Sequence, residues 1–198
     1  YYFAVAQRDY ADFFGAADGA KFQKISAPIL KALTETSEAG HLDAFFQLTG
    51  TERREYSLIG GVKLAANRDL PSRIEDLLEF LRDGNHDNEL LADLDLAVDS
   101  IDSLPVHRLP ITPSRDVGTR MFGESPSLHI YATPAVVWFS FGGDESLQSL
   151  KDAFQSVAQP QDVTKARNRV ALSLVTHMRN WLSVMDEDAE EDSAFKGR

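Results

Sequence analysis

The chain has 198 residues, of which 43% are hydrophobic and none is cysteine, and its formal net charge is −11. This apolar content is enough for a packed core, so extensive disorder is not expected. The absence of cysteine excludes disulfides, thiolate zinc sites and cysteine nucleophiles. An acidic surface repels phosphate backbones, so nucleic acid is not an expected partner. No apolar run approaches the roughly 20 residues that span a bilayer.

The first half of the chain predicts helices around a strand pair. Residues 1–6 suit either a buried strand or the start of a helix. A helix is predicted from Pro28 to Gly40, since proline is tolerated in a first helical turn and glycine ends helices. Residues 42–48 and 55–64 predict two strands, and a helix after Asp69 follows them.

The second half repeats this order. Residues 127–131 alternate between apolar and polar, and residues 136–141 are apolar almost throughout, as expected for an inner strand covered on both faces. Asp144 is well placed to cap the helix that follows, because its carboxylate can accept from free N–H groups of the first turn. A helical apolar stripe continues through Leu147, Leu150, Phe154 and Val157.

These patterns predict an α+β fold in which antiparallel β-hairpins pack against helices on one side. A ββα unit is predicted to occur twice, in residues 41–83 and 104–157, within a single domain spanning residues 1–185. A long C-terminal helix is predicted for residues 161–185. Residues 186–198 carry six acids and two bases, which predicts an acidic, flexible tail.

Residues 112–126 form the longest stretch without periodicity, so a loop is predicted there. The stretch carries Arg115 and Arg120 in an otherwise acidic chain, with Met121 and Phe122 beside them. These arginines are the candidate binding residues, for a small anionic ligand or a protein partner. The alternative is a mobile loop whose arginines pair with surplus acids.

Gly142, Gly143, Asp144 and Glu145 resemble the diguanylate cyclase signature. In that family the glycines occupy a hairpin turn and a strand follows. Here a helical pattern follows, and Ser146 stands where the family has phenylalanine. We therefore interpret the four residues as a strand end followed by a helix cap.

Metal and catalytic motifs are weak. Asp83, Asn85 and Asp87 match the first ligands of a calcium loop, but Leu94 at the twelfth position offers no side-chain oxygen. The five histidines show no metal-binding spacing, and no metal or cofactor is expected. His107 and His129 approach each other if their strands pair, although exposed positions on a sheet face are the simpler interpretation.

The primary hypothesis is a non-catalytic interaction or ligand-binding domain of a larger, exported, bacterial-type protein, which implies an extracytoplasmic location. The rival is a hydrolase that uses carboxylates and histidines assembled by the fold. It predicts a pocket in which acids converge with His107 or His129. The sequence fixes neither the oligomeric state nor the substrate.

Overall fold

The computed structural model describes residues 16–50, 56–64, 68–84, 91, 93–112 and 116–158. The predictions for residues 1–6, 161–185 and 186–198 lie outside these residues. The elements in chain order are α1 (Ala16–Glu38), β1 (Asp43–Thr49), β2 (Ser57–Lys63), α2 (Leu70–Gly84), β3 (Asp95–Ile101), β4 (Leu104–Pro110), α3 (Asp116–Phe122), β5 (Ser127–Ala132), β6 (Val136–Gly142) and α4 (Ser146–Ala158).

The six strands form one antiparallel sheet in the order β1-β2-β6-β5-β4-β3. Each pair of consecutive strands, β1-β2, β3-β4 and β5-β6, is a hairpin. The first and last hairpins meet through β2 and β6 at the middle, which leaves β1 and β3 as the edges. The predicted α+β class is confirmed. In the described part of the chain, no helix is long and apolar enough to cross a membrane.

Helices cover both faces of the sheet. On one face, called the α4 face, Tyr131 and Trp138 pack with Leu150 of α4. On the other, the α2 face, Ala132 and Val137 pack with residues of α1 and α2. The prediction that helices lie on one side is therefore wrong. Neighbouring strand residues point to opposite faces, so the continuous apolar character of β6 already requires cover on both.

Elements in the order ββα occur as β1-β2-α2 and as β5-β6-α4, although the second predicted range, residues 104–157, also contains β4 and α3. Their middle strands, β2 and β6, are antiparallel neighbours. A twofold axis perpendicular to the sheet would relate such strands and would place both helices on the same face. Because α2 and α4 lie on opposite faces, the units share element order but not arrangement, and duplication stays a hypothesis about the sequence.

Two glycines in β2 leave room for aromatic rings of the neighbouring strands to lie against the β2 backbone. A Cβ at Gly60 would overlap the Phe139 ring and lie 2.9 Å from the Phe45 carbonyl oxygen. Gly61 leaves room for the Phe45 ring, which meets Trp138 edge-on with centroids 5.2 Å apart. The β1-β2 register is uninterrupted. The two glycines therefore mark a close approach of side chains to the backbone and not a β-bulge.

Residues 112–126 are not a continuous loop, because they contain α3. The Phe122 ring packs on Phe141, with centroids 4.7 Å apart, and the Tyr56 N–H donates to the Met121 carbonyl at 3.0 Å. A helix of seven residues is too short to show a clear apolar period. Tertiary contacts hold it, and these are not visible in the local sequence.

A candidate ligand cleft beside His129

A half-open cleft of about 260 Å³ lies on the α4 face, where β4 and β5 meet the amino end of α4. We call it the His129 cleft. It combines four polar side chains, which can orient a ligand, with two aliphatic ones. Its lining consists of Val98, Arg108, Ser127, His129, Gly143, Asp144 and Leu147.

The imidazole of His129 contacts the hydroxyl of Ser146. The side chain of His129 is only 5% exposed, Ser146 is fully buried, and Ser146 Oγ lies 3.2 Å from His129 Nδ1. Ser146 Oγ also lies 3.4 Å from the Gly142 carbonyl oxygen. Since Nδ1 is occupied by Ser146, the ring nitrogen left for a ligand is Nε2.

The single hydroxyl proton of Ser146 allows two arrangements. If it is donated to Gly142, Nδ1–H of His129 donates to Ser146 and Nε2 presents a lone pair. If it is donated to Nδ1, Nε2 carries the proton and becomes a donor. Burial lowers the pKa of His129, and the charge of Arg108 lowers it further. His129 is therefore neutral at pH 7 and can offer either hydrogen-bonding role.

Arg108 contributes the cation of the cleft. On β4 it stands directly beside His129 of β5 in register, on the same face. Its Nε and Nη2 both donate to Oδ2 of Asp95, at 3.2 and 2.5 Å. This single-oxygen pairing orients the guanidinium and leaves Nη1 available, because the side chain is 45% exposed.

Asp144 contributes the anion. Its side chain is exposed, and within the described residues it makes no hydrogen bond or ion pair. The predicted side-chain cap is therefore not formed, and the turn is closed instead by the Ser146 N–H, which donates to the Gly143 carbonyl at 3.0 Å. The helix does begin at Ser146, so interpreting the four-residue signature as a strand end is correct, whereas a cyclase requires a strand there.

A second ion pair crosses the α4 face nearby. Lys151 Nζ of α4 lies 2.6 Å from Asp99 Oδ2 of β3. The hydrogen bond from Lys151 is the main reason that the pKa of Asp99 is lowered. The pair ties α4 to the β3 edge, and Asp99 partly opposes the fall in the pKa of His129.

The two candidate histidines are separated by the sheet. Their strands pair, but His107 lies opposite Ile130 and therefore faces α2, whereas His129 faces α4. Both are buried, so interpreting them as exposed is wrong. Each lies on an inner strand whose two faces are covered.

His107 is not among the cleft-lining residues and makes a structural contact instead. Between Asp95 and Asp99 the β3-β4 register shifts, and Ala97 there adopts a positive φ of 54°. The freed N–H of Ala97 donates to His107 Nδ1 at 3.4 Å. His107 thus satisfies a backbone group that the bulge removes from the ladder.

The remaining candidates that the structure describes are not among the residues lining the cleft. Arg115 and two calcium-loop residues, Asn85 and Asp87, lie outside the described residues. Arg120 is half-buried on α3 and is not among the residues lining the cleft. Leu94, at the twelfth loop position, is a core residue only 3% exposed. Among the described residues no three His, Asp or Glu side chains are grouped to hold a metal.

Sequence reasoning missed Arg108 and Ser146. Arg108 matters only because the β4-β5 register places it beside His129, and Ser146 only because α4 folds back over β5. Neither relationship leaves a local motif. Comparison with known proteins found no matching family model, no similar curated protein and no similar solved structure. The cleft itself is therefore the basis for inferring function.

Proposed function

We propose that this chain is a non-catalytic ligand-binding domain whose site is the His129 cleft, and that the ligand presents an anionic group there. The observation that carries the proposal is His129 itself. It is 95% buried from solvent at the wall of a cleft, its Nδ1 is fixed by Ser146, and its Nε2 is left for a ligand. A ligand that hydrogen-bonds to Nε2 would meet a ring whose orientation Ser146 already fixes.

Two side chains of the lining offer hydrogen-bond donors to an anion, and the cleft lies at the amino end of α4. Arg108 supplies a guanidinium N–H, and His129 supplies Nε2–H in one tautomer. The first N–H groups of a helix lack internal partners and attract anions. A carboxylate oxygen can accept a hydrogen bond from either side chain.

The cleft is suited to a metabolite-sized ligand. Its volume of about 260 Å³ corresponds to roughly nine water molecules at ~30 Å³ each. That is at the small end of ligand pockets. Leu147 and Val98 give it an apolar wall, so a short aliphatic carboxylate is an appropriate probe.

The test is a titration with 4-methylpentanoate, followed by amide chemical shifts in ¹H–¹⁵N spectra. We expect saturable shifts at Gly143, Asp144 and Leu147. Arg108→Gln should weaken binding about tenfold, because one charge-assisted contact is lost. Arg73→Gln is the matched control, since Arg73 is an exposed residue of α2 and is not among the residues lining the cleft.

Shifts that spread evenly over the protein, or equal affinities for the two arginine variants, would refute the proposed site. Both variants replace exposed arginines, so neither is expected to unfold the protein. A thermal unfolding curve for each variant verifies this before titration.

The hydrolase is a second candidate because His129 and Asp144 do line one cleft. The hydroxyl bonded to His129 belongs to Ser146, which is fully buried and cannot reach a substrate. The hydrolase would therefore have to activate water through His129. It predicts turnover of p-nitrophenyl acetate that is lost in His129→Gln. Equal rates for the variant and the wild type would exclude it.

A further inference from the structure

We infer that the ligand of the His129 cleft is a zwitterion of amino-acid size, with its carboxylate toward Arg108 and its ammonium group toward Asp144. This inference rests on the proposed function and adds the chemical class of the ligand. It depends on one feature that a simple anion site would not need. Among the described residues, the lining contains one cation, Arg108, and one anion, Asp144, so it presents two poles.

The anionic pole of the ligand has its partners at Arg108, His129 and the amino end of α4. The cationic pole has Asp144. Within the described residues Asp144 makes no hydrogen bond or ion pair, although it stands beside a helix end where a capping contact is usual. Among the described residues, the carboxylate therefore has no cationic partner and is open to one from a ligand.

The charges around the cleft disfavour a ligand that carries two or more negative charges. Asp144 lines it, Asp95 already neutralises Arg108, and Asp99 is paired with Lys151. A phosphate or dicarboxylate would bring two or more negative charges beside an unpaired Asp144 in a chain of net charge −11. A zwitterion adds no net charge and matches both poles.

The size and the apolar wall set the rest of the ligand. A cavity of about 260 Å³ holds roughly nine non-hydrogen atoms at the molecular density of water. Val98 and Leu147 provide the aliphatic surface. A free α-amino acid with a short aliphatic side chain has this size and this distribution of polarity.

The test compares three probes of one shape. L-Leucine carries both charged groups, 4-methylpentanoate lacks the ammonium group, and 3-methylbutylamine lacks the carboxylate. Affinities are measured by titration of the Gly143 and Leu147 amide shifts. We expect L-leucine to bind about tenfold more tightly than either truncated probe, because each loses one charge-assisted contact.

Asp144→Asn tests the cationic pole directly. It should reduce the affinity for L-leucine to that for 4-methylpentanoate and leave the affinity for 4-methylpentanoate equal to or higher than before. Glu145→Gln is the matched control, since it removes the same charge from the next residue, which is exposed and is not among the cleft-lining residues. It should leave the preference for L-leucine intact.

The outcomes separate the two proposals. If 4-methylpentanoate binds as tightly as L-leucine, or if Asp144→Asn has no effect on L-leucine, the zwitterion is refuted while the anion-binding cleft stands. If neither carboxylate shifts the cleft amides, both proposals fail. If 3-methylbutylamine alone binds, both proposals fail as well, because the site then prefers a cationic ligand.

Discussion

Ser146 Oγ lies 3.2 Å from Nδ1 of His129, and both side chains are almost completely removed from solvent. The contact joins the first turn of α4 to β5, two elements that are separated in the chain by β6. It therefore fixes the helix on the sheet and the imidazole in the cleft at once. This pair links the stability of the fold to the chemistry of the site.

Ser146→Ala should destabilise the protein by about 1–3 kcal/mol. The substitution leaves His129 Nδ1 buried without its partner, and that desolvation cost is not recovered. The free energy of unfolding is measured by urea denaturation. Ser156→Ala, an exposed position on the same helix, is the control and should change it by less than about 0.5 kcal/mol. Equal effects at the two positions would contradict the account.

Stability should fall as the pH drops below about 6.5. Burial lowers the pKa of both His107 and His129 below its ordinary value. The unfolded chain then binds protons near pH 6.5 that the folded chain does not, so stability is fully present above this pH and is lost below it. Each histidine changes the free energy of unfolding by at most about 1.4 kcal/mol per pH unit.

This pH dependence is measured by urea denaturation between pH 5.5 and 7.5. His107→Gln should flatten it, because glutamine titrates nowhere in that range and its side-chain oxygen can still accept from Ala97. His41→Gln removes an exposed histidine and provides the control. A wild-type protein equally stable at both ends of the range would refute the prediction.

Gly60→Ala should destabilise the fold by about 1–3 kcal/mol through overpacking. The new Cβ would meet the Phe139 ring and the Phe45 carbonyl oxygen, and the backbone oxygen cannot move aside easily. Gly84→Ala is the control, since its Cβ would lie at an ordinary 3.7 Å from Phe80. Adding Phe139→Leu to Gly60→Ala should recover part of the loss. If the double variant is no more stable than Gly60→Ala, the contact with the Phe139 ring is not the source of the strain.

The β1 edge should promote self-association at high concentration. Phe46 is 65% exposed on a seven-residue edge strand that has no lysine or proline to block further pairing. Phe46→Lys should reduce concentration-dependent light scattering. Gln47→Lys adds the same charge to the same strand but removes no ring. If both variants act equally, charge rather than the exposed ring controls association.

Strands β1, β2, β5 and β6 and helices α2 and α4 could be predicted from local patterns, because the period of an element is written in its own residues. Strand β3 was not predicted, because a register shift between Asp95 and Asp99 interrupts its pairing. The arrangement of helices could not be predicted, although the apolar run of β6 indicated cover on both faces. The composition of the cleft could not be predicted from local patterns either. His129 was a candidate, but its partners Arg108 and Ser146 reach it through strand register and helix docking, which no local motif records.

The central claim is that Nε2 of His129 faces a ligand, and imidazole ¹H–¹⁵N correlation spectra test it directly. L-Leucine is titrated at pH 7, and the ring nitrogens of His129 and His107 are followed together. We expect His129 Nε2 to shift saturably, while His107, buried on the opposite face, stays unchanged. No shift at His129, or equal shifts at both rings, would contradict the account.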